Sequence, residues 1–124
     1  MTKLTECHVI AIGGEFSHKP RVFYNQEISS FFTQYRANKC FIGATGVSVK
    51  MGVTCSYPND VPVKKSMMKS SLEKILLVDS TKFGAVSTCA FASVEDFDVI
   101  ITDDGIKKED KEELESLGIL VIVV

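Results

Sequence analysis

The 124-residue chain lacks several features that would place it in a functional class at once. Its formal net charge is only −2, so no excess of positive charge attracts it to nucleic acid, and DNA binding by these residues alone is disfavoured. No run approaches the roughly 20 apolar residues of a membrane-spanning helix, and the N-terminus has no small-residue cleavage site. We therefore expect a cytoplasmic protein with no membrane partner.

Metal-binding patterns are also missing. The chain has only two histidines and four cysteines, the latter being Cys7, Cys40, Cys55 and Cys89. The cysteines form no C-x-x-C pair, and the histidines are not spaced with them as zinc ligands. We therefore expect no metal and no cofactor, and we interpret the cysteines as free thiols in a reducing compartment.

Repeats, low-complexity tracts and linker-like runs of Pro, Ser and Gly are absent as well. This predicts a single domain over residues 1–124, long enough to bury a hydrophobic core. Strand-like apolar runs alternate with helical patterns, which predicts an α/β fold with a mainly parallel sheet and flanking helices. The predicted strands are "CHVIAIGG" (7–14), "KCFIG" (39–43), "KILLVD" (74–79), "DVIITDDG" (98–105) and a buried "ILVIVV" (119–124); the segments 15–21 and 44–52 are predicted loops.

The predicted helices are amphipathic. The first has an apolar stripe at positions 28, 31, 32 and 35, with Asn25 as its N-cap. The second begins near Asp60, which we expect to be its cap. The third, within residues 107–118, is charged, and we expect Leu114 and Leu117 to face inward and Gly118 to end it.

Polar segments follow four of the predicted strands. They are Gly13-Gly14, "GATG" (43–46), "DSTK" (79–82) and "TDDG" (102–105). Ligands of open α/β sheets bind beyond the carboxyl ends of the strands. If the strands are parallel, all four segments meet at one edge of the sheet.

The side chains of these segments fit a phosphorylated polyol. Glycines such as Gly43 and Gly46 let backbone N–H groups approach a phosphate. Hydroxyls of Thr45, Ser80 and Thr81 donate hydrogen bonds, and the two lysines Lys64 and Lys82 supply positive charge. The two acids Asp79 and Asp103 suit sugar hydroxyls.

Each segment also has a purely structural interpretation. A Gly-Gly pair after a strand is usually only a turn. Lys64 is equally compatible with a solvated helix position beside Lys65, and the aspartates with caps of turns. Among the candidates, "DSTK" is the strongest.

Several strings resemble the C-terminal effector-sensing domain of DeoR-family transcriptional repressors. They are "VIAIGGEF", "CFIGATGVSVKMGVT", "VKKSMMKSS", "KILLVDSTKFG", "DFDVIITDDGI" and "LGILVIVV", and they cover the chain from about Val9 onward. The resemblance implies a fold shared with ribose phosphate isomerase, glucosamine phosphate deaminase and coenzyme A transferases. It implies a domain that binds a phosphorylated sugar or related metabolite, through positions matching Gly13, Gly14, Gly43, Gly46, Lys64, Asp79, Ser80 and Lys82.

The resemblance has two departures. The chain has no winged helix-turn-helix, so we expect contact with DNA only through a domain outside these residues. It also lacks the strand and "AGTT"-like loop that open the family's sensing domain and help to hold the effector's phosphate. An exposed sheet edge and apolar face would follow, and we therefore expect a homo-oligomer.

Three hypotheses follow for the function. The leading one is a sensor without catalytic activity, in which the effector shifts an equilibrium between two arrangements. The alternative is a sugar-phosphate isomerase or deaminase of the same fold, with Asp79 or Asp103 as general base and Lys82 stabilising the developing charge. A third is a remnant whose role is assembly with other subunits and which binds no ligand.

Overall fold

The computed structural model of the chain describes residues 6–19 and 21–124. Its strands and helices, in chain order, are β1 (Glu15–Ser17), β2 (Val22–Tyr24), α1 (Ile28–Gln34), β3 (Ala37–Ile42), β4 (Gly46–Ser48), β5 (Gly52–Cys55), α2 (Asp60–Lys69), β6 (Ser71–Leu77), β7 (Cys89–Ala92), β8 (Val99–Thr102), α3 (Lys108–Ser116) and β9 (Leu120–Val123). No helix in these ranges is long and apolar enough to cross a membrane.

A four-stranded parallel sheet, in the order β3-β6-β8-β9, confirms the predicted α/β fold. One row of paired residues across its centre is buried, and consists of Ile42, Leu76, Ile100 and Val121. Met68 of α2 and Leu114 of α3 belong to the same buried cluster. The β-branched and aliphatic residues of these strands therefore form one face of the core, with the two helices packed on it.

The glycine-rich segment 44–52, predicted to be a loop, forms a hairpin instead. Strand β4 pairs antiparallel with β5, and β5 pairs antiparallel with β7, giving a second sheet. Val47 and Val53 face each other in this hairpin, and both are buried in the core. The turn is closed by Gly52 at a φ of 87° and by the Ser48 hydroxyl, which accepts from the Met51 amide at 3.0 Å. Glycine takes this left-handed conformation without strain, so the segment turns back where a loop was expected.

The strand predicted for residues 7–14 is wrong. Residues 8–14 have no regular secondary structure, and Val9 and Ile10 are 64% and 55% exposed. The following segment, predicted to be a loop, contributes β1, which pairs with β2 in a short antiparallel hairpin. An apolar run becomes a strand only where a neighbouring strand accepts its backbone hydrogen bonds, and among the described residues none pairs with 8–14.

The caps of the first two helices differ from the prediction. Helix α1 begins at Ile28, and the Asn25 side chain instead accepts from the Glu27 amide at 2.8 Å in a turn before the helix. Asp60 is the first residue of α2, not its cap, and it accepts a hydrogen bond from the Tyr24 hydroxyl at 3.2 Å. Asn25 therefore stabilises the turn between β2 and α1, and Asp60 links α2 to β2.

The third helix agrees with the prediction in part. Leu114 is buried and faces the core, and Gly118, with a φ of 84°, follows the end of the helix. Leu117 is 37% exposed, so its predicted inward position is wrong. It is the C-cap residue, and the chain leaves the helical path there.

Strand β9 is not fully buried as predicted, because it is the edge strand of the parallel sheet. Of its residues only Val121 is buried. Leu120 and Ile122 are 58% and 39% exposed, and the register places them on the same face of the sheet as Phe41 and Leu77, which are also exposed. This second face of the sheet carries exposed apolar side chains.

Candidate functional site

The polar segments that follow β3, β6 and β8 lie at adjacent strand ends, because these strands are parallel neighbours. We call residues 43–46, 79–82 and 102–105 together the rim. The predicted meeting of "GATG", "DSTK" and "TDDG" at one edge of the sheet is therefore confirmed. An ideal Cβ on Gly43 would lie 3.9 Å from the carbonyl oxygen of Leu77, the last residue of β6, so the first segment lies beside the end of that strand.

Asp103 joins the segments that follow β6 and β8. Its carboxylate accepts from the Ser80 amide at 2.8 Å and from the Gly105 amide at 2.9 Å. The Ser80 hydroxyl, together with these amides, holds the pKa of the Asp103 carboxyl below its ordinary value of 3.8. Hydrogen bonds to the charged form favour ionisation, so Asp103 is a carboxylate at neutral pH.

Asp79 organises the "DSTK" segment itself. Residues Ser80–Lys82 form a 3-10 turn, and the Asp79 carboxylate accepts from the amide of Thr81 at 2.9 Å and from its hydroxyl. The Lys82 amine lies 3.8 Å from the same carboxylate. The Thr81 hydroxyl and amide, and more weakly the Lys82 charge, lower the pKa of Asp79. The aspartate is thus an N-cap of the turn, and it positions the lysine.

The backbone amides of the rim already have partners within the protein. The Ser80 and Thr81 amides bond to Asp103 and Asp79, and the Lys82 amide donates to the Asp79 carbonyl at 3.2 Å. The Thr45 amide donates to the Thr54 carbonyl at 2.9 Å. An anion at this edge would therefore be held by lysine amines and hydroxyls rather than by these four amides.

Lys64 is part of this arrangement, although it lies on α2. Its amine donates to the Gly43 carbonyl at 2.7 Å and lies 5.2 Å from the centre of the Phe91 ring, within range of a cation–π contact. Its side chain is half-buried, whereas the neighbouring Lys65 is exposed. Lys64 is therefore only partly solvated, and its role in ligand binding stays a prediction. Two of its three amine hydrogens remain available for a ligand.

The hydroxyls of Thr45, Ser56 and Ser87 lie together at one end of the antiparallel sheet. The Ser56 hydroxyl contacts the hydroxyl of Thr45 at 3.4 Å and that of Ser87 at 3.1 Å. The Ser87 amide donates to the Thr54 hydroxyl at 2.8 Å, which fixes the segment before β7. Sequence reasoning missed Ser56 and Ser87, because only the pairing of β5 with β7 brings them to Thr45. The two adjacent β-branched residues Val53 and Thr54, which favour a strand, were a signal in the sequence.

The rim glycines have different structural roles. A Cβ on Gly46 would overlap the Ala85 carbonyl and lie 2.7 Å from the Thr54 hydroxyl, so no side chain fits there. A Cβ on Gly105 would overlap the Ser80 hydroxyl. A Cβ on Gly43 would make only an ordinary van der Waals contact, with the Leu77 carbonyl oxygen. The glycines at 46 and 105 are therefore required by packing, whether or not a ligand binds.

Gly13 and Gly14 do not follow a parallel strand, so their predicted position at the rim is wrong. The Gly13 carbonyl accepts from the Asn25 side chain at 3.2 Å, and Gly14, with a φ of 157°, packs against the backbone of Tyr24. Both precede β1 and contact the segment at the end of β2. A role for these two glycines in ligand binding stays a prediction.

At the end of β8, the rim also contains a buried hydroxyl without a partner. Thr102 is 2% exposed, and within the described part of the chain its hydroxyl makes no hydrogen bond. Buried hydroxyls normally have a partner, so this side chain has unused bonding capacity. Across residues 6–19 and 21–124, no three His, Cys, Asp or Glu side chains are grouped so that they could hold a metal ion.

Comparison with known proteins identifies relatives that are transcriptional regulators. The family model described as "DeoR C terminal sensor domain" matches residues 1–104. The HTH-type transcriptional regulator GlpR of Haloferax volcanii is 27% identical over 110 residues, 89% of this chain and 43% of the relative. The HTH-type transcriptional repressor GlcR of Bacillus subtilis is 28% identical over 95 residues, 77% of this chain and 36% of the relative.

A third relative is the Deoxyribose operon repressor of Escherichia coli, which is 29% identical over 97 residues, 78% of this chain and 38% of the relative. The chain thus spans about two fifths of the length of the curated relatives it matches. The family model covers most of the chain, and the fold has the expected parallel sheet. The chain belongs to the DeoR C-terminal sensor domain family.

Proposed function

We propose that this domain senses a phosphorylated sugar or a related metabolite, which binds at the rim. One observation carries the proposal: in a member of a sensor-domain family, three polar segments lie at adjacent strand ends, together with two lysines. Ligands of open α/β sheets bind at this position.

The two lysines would hold the anionic group. The Lys82 side chain is 35% exposed, and its amine keeps donors free beyond its contact with Asp79. Lys64 extends from α2 to the Gly43 carbonyl that follows β3, and its amine has two further donors. Charge-assisted hydrogen bonds from such amines to phosphate are about twice as strong as neutral ones. The hydroxyls of Thr45, Ser56 and Ser87 would complete the polar lining.

The carboxylates would orient the sugar. Asp79 and Asp103 are ionised at neutral pH and keep acceptor positions free beside the hydrogen bonds that hold the loops. They accept hydrogen bonds from sugar hydroxyls and repel a phosphate, which directs the phosphate toward the lysines. The site thereby distinguishes the two ends of the ligand.

The mechanism would be a shift of population. The effector binds one arrangement of the domain better and moves the equilibrium by its difference in affinity. In a longer protein with a helix-turn-helix domain, that shift would change the affinity for DNA. These steps are proposed only for a protein that also has a DNA-binding domain.

An isomerase or deaminase is less well supported. A general base works best when its pKa lies near the working pH. The pKa values of Asp79 and Asp103 are both lowered, because hydrogen bonds stabilise the carboxylates, so both are weak bases. We therefore propose a sensor that does not turn its ligand over, and an assay for sugar-phosphate conversion tests this point.

The binding proposal is tested by thermal unfolding with a panel of sugar phosphates. A ligand at 100 times its Kd stabilises by about 2.7 kcal/mol, which raises the midpoint of a domain of this size by several degrees. The Lys82→Ala variant should lose this shift. Lys108→Ala, which removes an exposed lysine on α3, is the matched control and should keep it. The proposal is wrong if no phosphate shifts the wild type, or if Lys82→Ala responds as the wild type does.

Self-association stays a prediction. The exposed apolar residues Phe41, Leu77, Leu120 and Ile122 on one face of the parallel sheet support it. Sedimentation at high protein concentration would detect an oligomer, and a monomer there would contradict it. An oligomer without any ligand-induced stabilisation would instead support the remnant hypothesis.

A further inference from the structure

Two cysteines face each other across the antiparallel sheet. Cys55, the last residue of β5, is the register partner of Cys89, the first residue of β7. Directly opposed residues of antiparallel strands have Cα atoms about 4.5–5.5 Å apart and side chains on the same face. Disulfides span Cα separations of about 4.4–6.8 Å. We propose that Cys55 and Cys89 are a redox modification site, at which a peroxide converts the two thiols into a reversible intramolecular disulfide.

The two thiols differ in their surroundings. Cys55 is 2% exposed, and its thiol donates to the Tyr57 carbonyl at 3.7 Å. Burial raises the pKa of Cys55 and the neighbouring Cys89 adds to this, while the charge of Lys64 acts in the opposite direction. Cys89 is only half-buried. Of the two cysteines in this pair, Cys89 is therefore the one that an oxidant in solution reaches first, because reaction needs an accessible thiolate.

The chemistry proceeds in two balanced steps. The Cys89 thiolate attacks one peroxide oxygen, so that an S–O bond forms, the O–O bond breaks and the leaving oxygen departs as water after taking a proton. The Cys55 thiolate then attacks the Cys89 sulfur, so that the S–S bond forms, the S–O bond breaks and a second water leaves. Two thiols are oxidised and one hydrogen peroxide is reduced to two waters. A dithiol reductant reverses the change by exchange.

The position of the pair gives the disulfide a consequence beyond the cysteines. Ser56 follows Cys55 directly, and Ser87 lies two residues before Cys89; these two serines share a hydrogen bond at the hydroxyl-lined end of the sheet. A covalent link between β5 and β7 would fix the strand ends that carry these hydroxyls. The disulfide itself follows from the strand register alone and does not depend on what the rim binds.

The test treats the fully reduced, folded protein with hydrogen peroxide, alkylates the remaining thiols and maps the peptides by mass spectrometry. We expect the loss of two of the four thiols, a mass lower by two hydrogens, one cross-linked peptide joining Cys55 to Cys89, and full recovery with dithiothreitol. Peroxide added to the urea-unfolded chain should give a mixture of pairings, because the strand register is then lost.

Variants make the assignment specific. Cys89→Ala should abolish the cross-link, while Cys40→Ala should keep it, because Cys40 is paired with Lys74 rather than with a cysteine. Circular dichroism confirms that each variant is folded before oxidation. The proposal is overturned if folded wild type accumulates Cys89 sulfinic acid with Cys55 still free. It is also overturned if the cross-link joins another pair or persists in Cys89→Ala.

Discussion

The segment before β3 and the sheet region that follows it are built very differently. Among the described residues of β1, β2 and α1, none is buried. Their contacts include aromatic pairs, such as Phe16 with Phe23 at 5.3 Å and Phe31 with Tyr35 at 4.5 Å between ring centres. The parallel sheet instead has a fully buried row at its centre. We infer that folding free energy and the geometry of the rim both come from the sheet region.

The largest expected effect is a difference in folding stability between a substitution in the parallel sheet and one in the β1–β2 hairpin. Leu76 is fully buried in β6, and Leu76→Ala should destabilise the domain by about 2–5 kcal/mol through lost burial and a cavity. Phe23, in the hairpin, is 60% exposed, so Phe23→Ala should cost less than about 1 kcal/mol. Urea unfolding midpoints measure both. Equal losses in the two variants would mean that the hairpin is as important for stability as the sheet.

A second comparison lies within the rim. Gly46→Ala forces a methyl group against the Ala85 carbonyl and should destabilise by about 1–3 kcal/mol. Gly43→Ala places its methyl group in ordinary van der Waals contact, 3.9 Å from the Leu77 carbonyl oxygen, and should change stability by less than about 0.5 kcal/mol. The same unfolding measurement distinguishes them. If Gly43→Ala is the more damaging of the two, the packing assigned to this loop is wrong.

Thr54 and Thr102 are equally buried, at 2% exposed, so a comparison of the two tests the hydrogen bonds of their hydroxyls. The Thr54 hydroxyl accepts from the Ser87 amide, so Thr54→Val leaves that donor unpaired and should cost about 1–3 kcal/mol. The Thr102 hydroxyl has no partner among residues 6–19 and 21–124, so Thr102→Val should be neutral or stabilising by up to about 1 kcal/mol. A clear loss in Thr102→Val would reveal a partner of that hydroxyl.

The smallest expected effect is the pH dependence of the rim. The pKa values of Asp79 and Asp103 are lowered in the folded state, so their contribution to stability is fully present above the unfolded value of about 3.9. It is lost as the pH falls below that value and through the folded pKa values. Asp103→Asn should therefore show a shallower loss of stability below pH 4 than the wild type. An unchanged acid slope would contradict the proposed role of the Ser80 and Gly105 bonds.

The sequence predicted the parallel sheet well, because β3, β6 and β8 are apolar runs that end in short polar segments, and each pattern is local. The position of Asp79 as a cap was also accessible from its neighbours. The β4–β5–β7 sheet was missed, since it joins residues far apart in the chain, such as Cys55 and Cys89. For the same reason, Ser56 and Ser87 were not recognised as neighbours of Thr45.

The prediction of a strand at residues 7–14 was wrong for a different physical reason. Residues 7–14 have the composition of a strand, but pairing depends on a neighbouring strand that composition does not reveal. Lys64 was a candidate because of its positive charge and because the family resemblance includes it, but its bond to the Gly43 carbonyl depends on the packing of α2 against β3. Local patterns thus located the rim, while long-range contacts decided which of its groups remain free.

The most direct test of the account maps a bound sugar phosphate onto the backbone amides by two-dimensional NMR of the isotope-labelled domain. We predict that the shifted amides group at the rim, around Gly43, Ser80, Lys82 and Gly105, while those of the β1–β2 hairpin stay in place. Shifts centred on Gly13 and Gly14, or none with any sugar phosphate at saturating concentration, would contradict the assignment of the rim as the effector site.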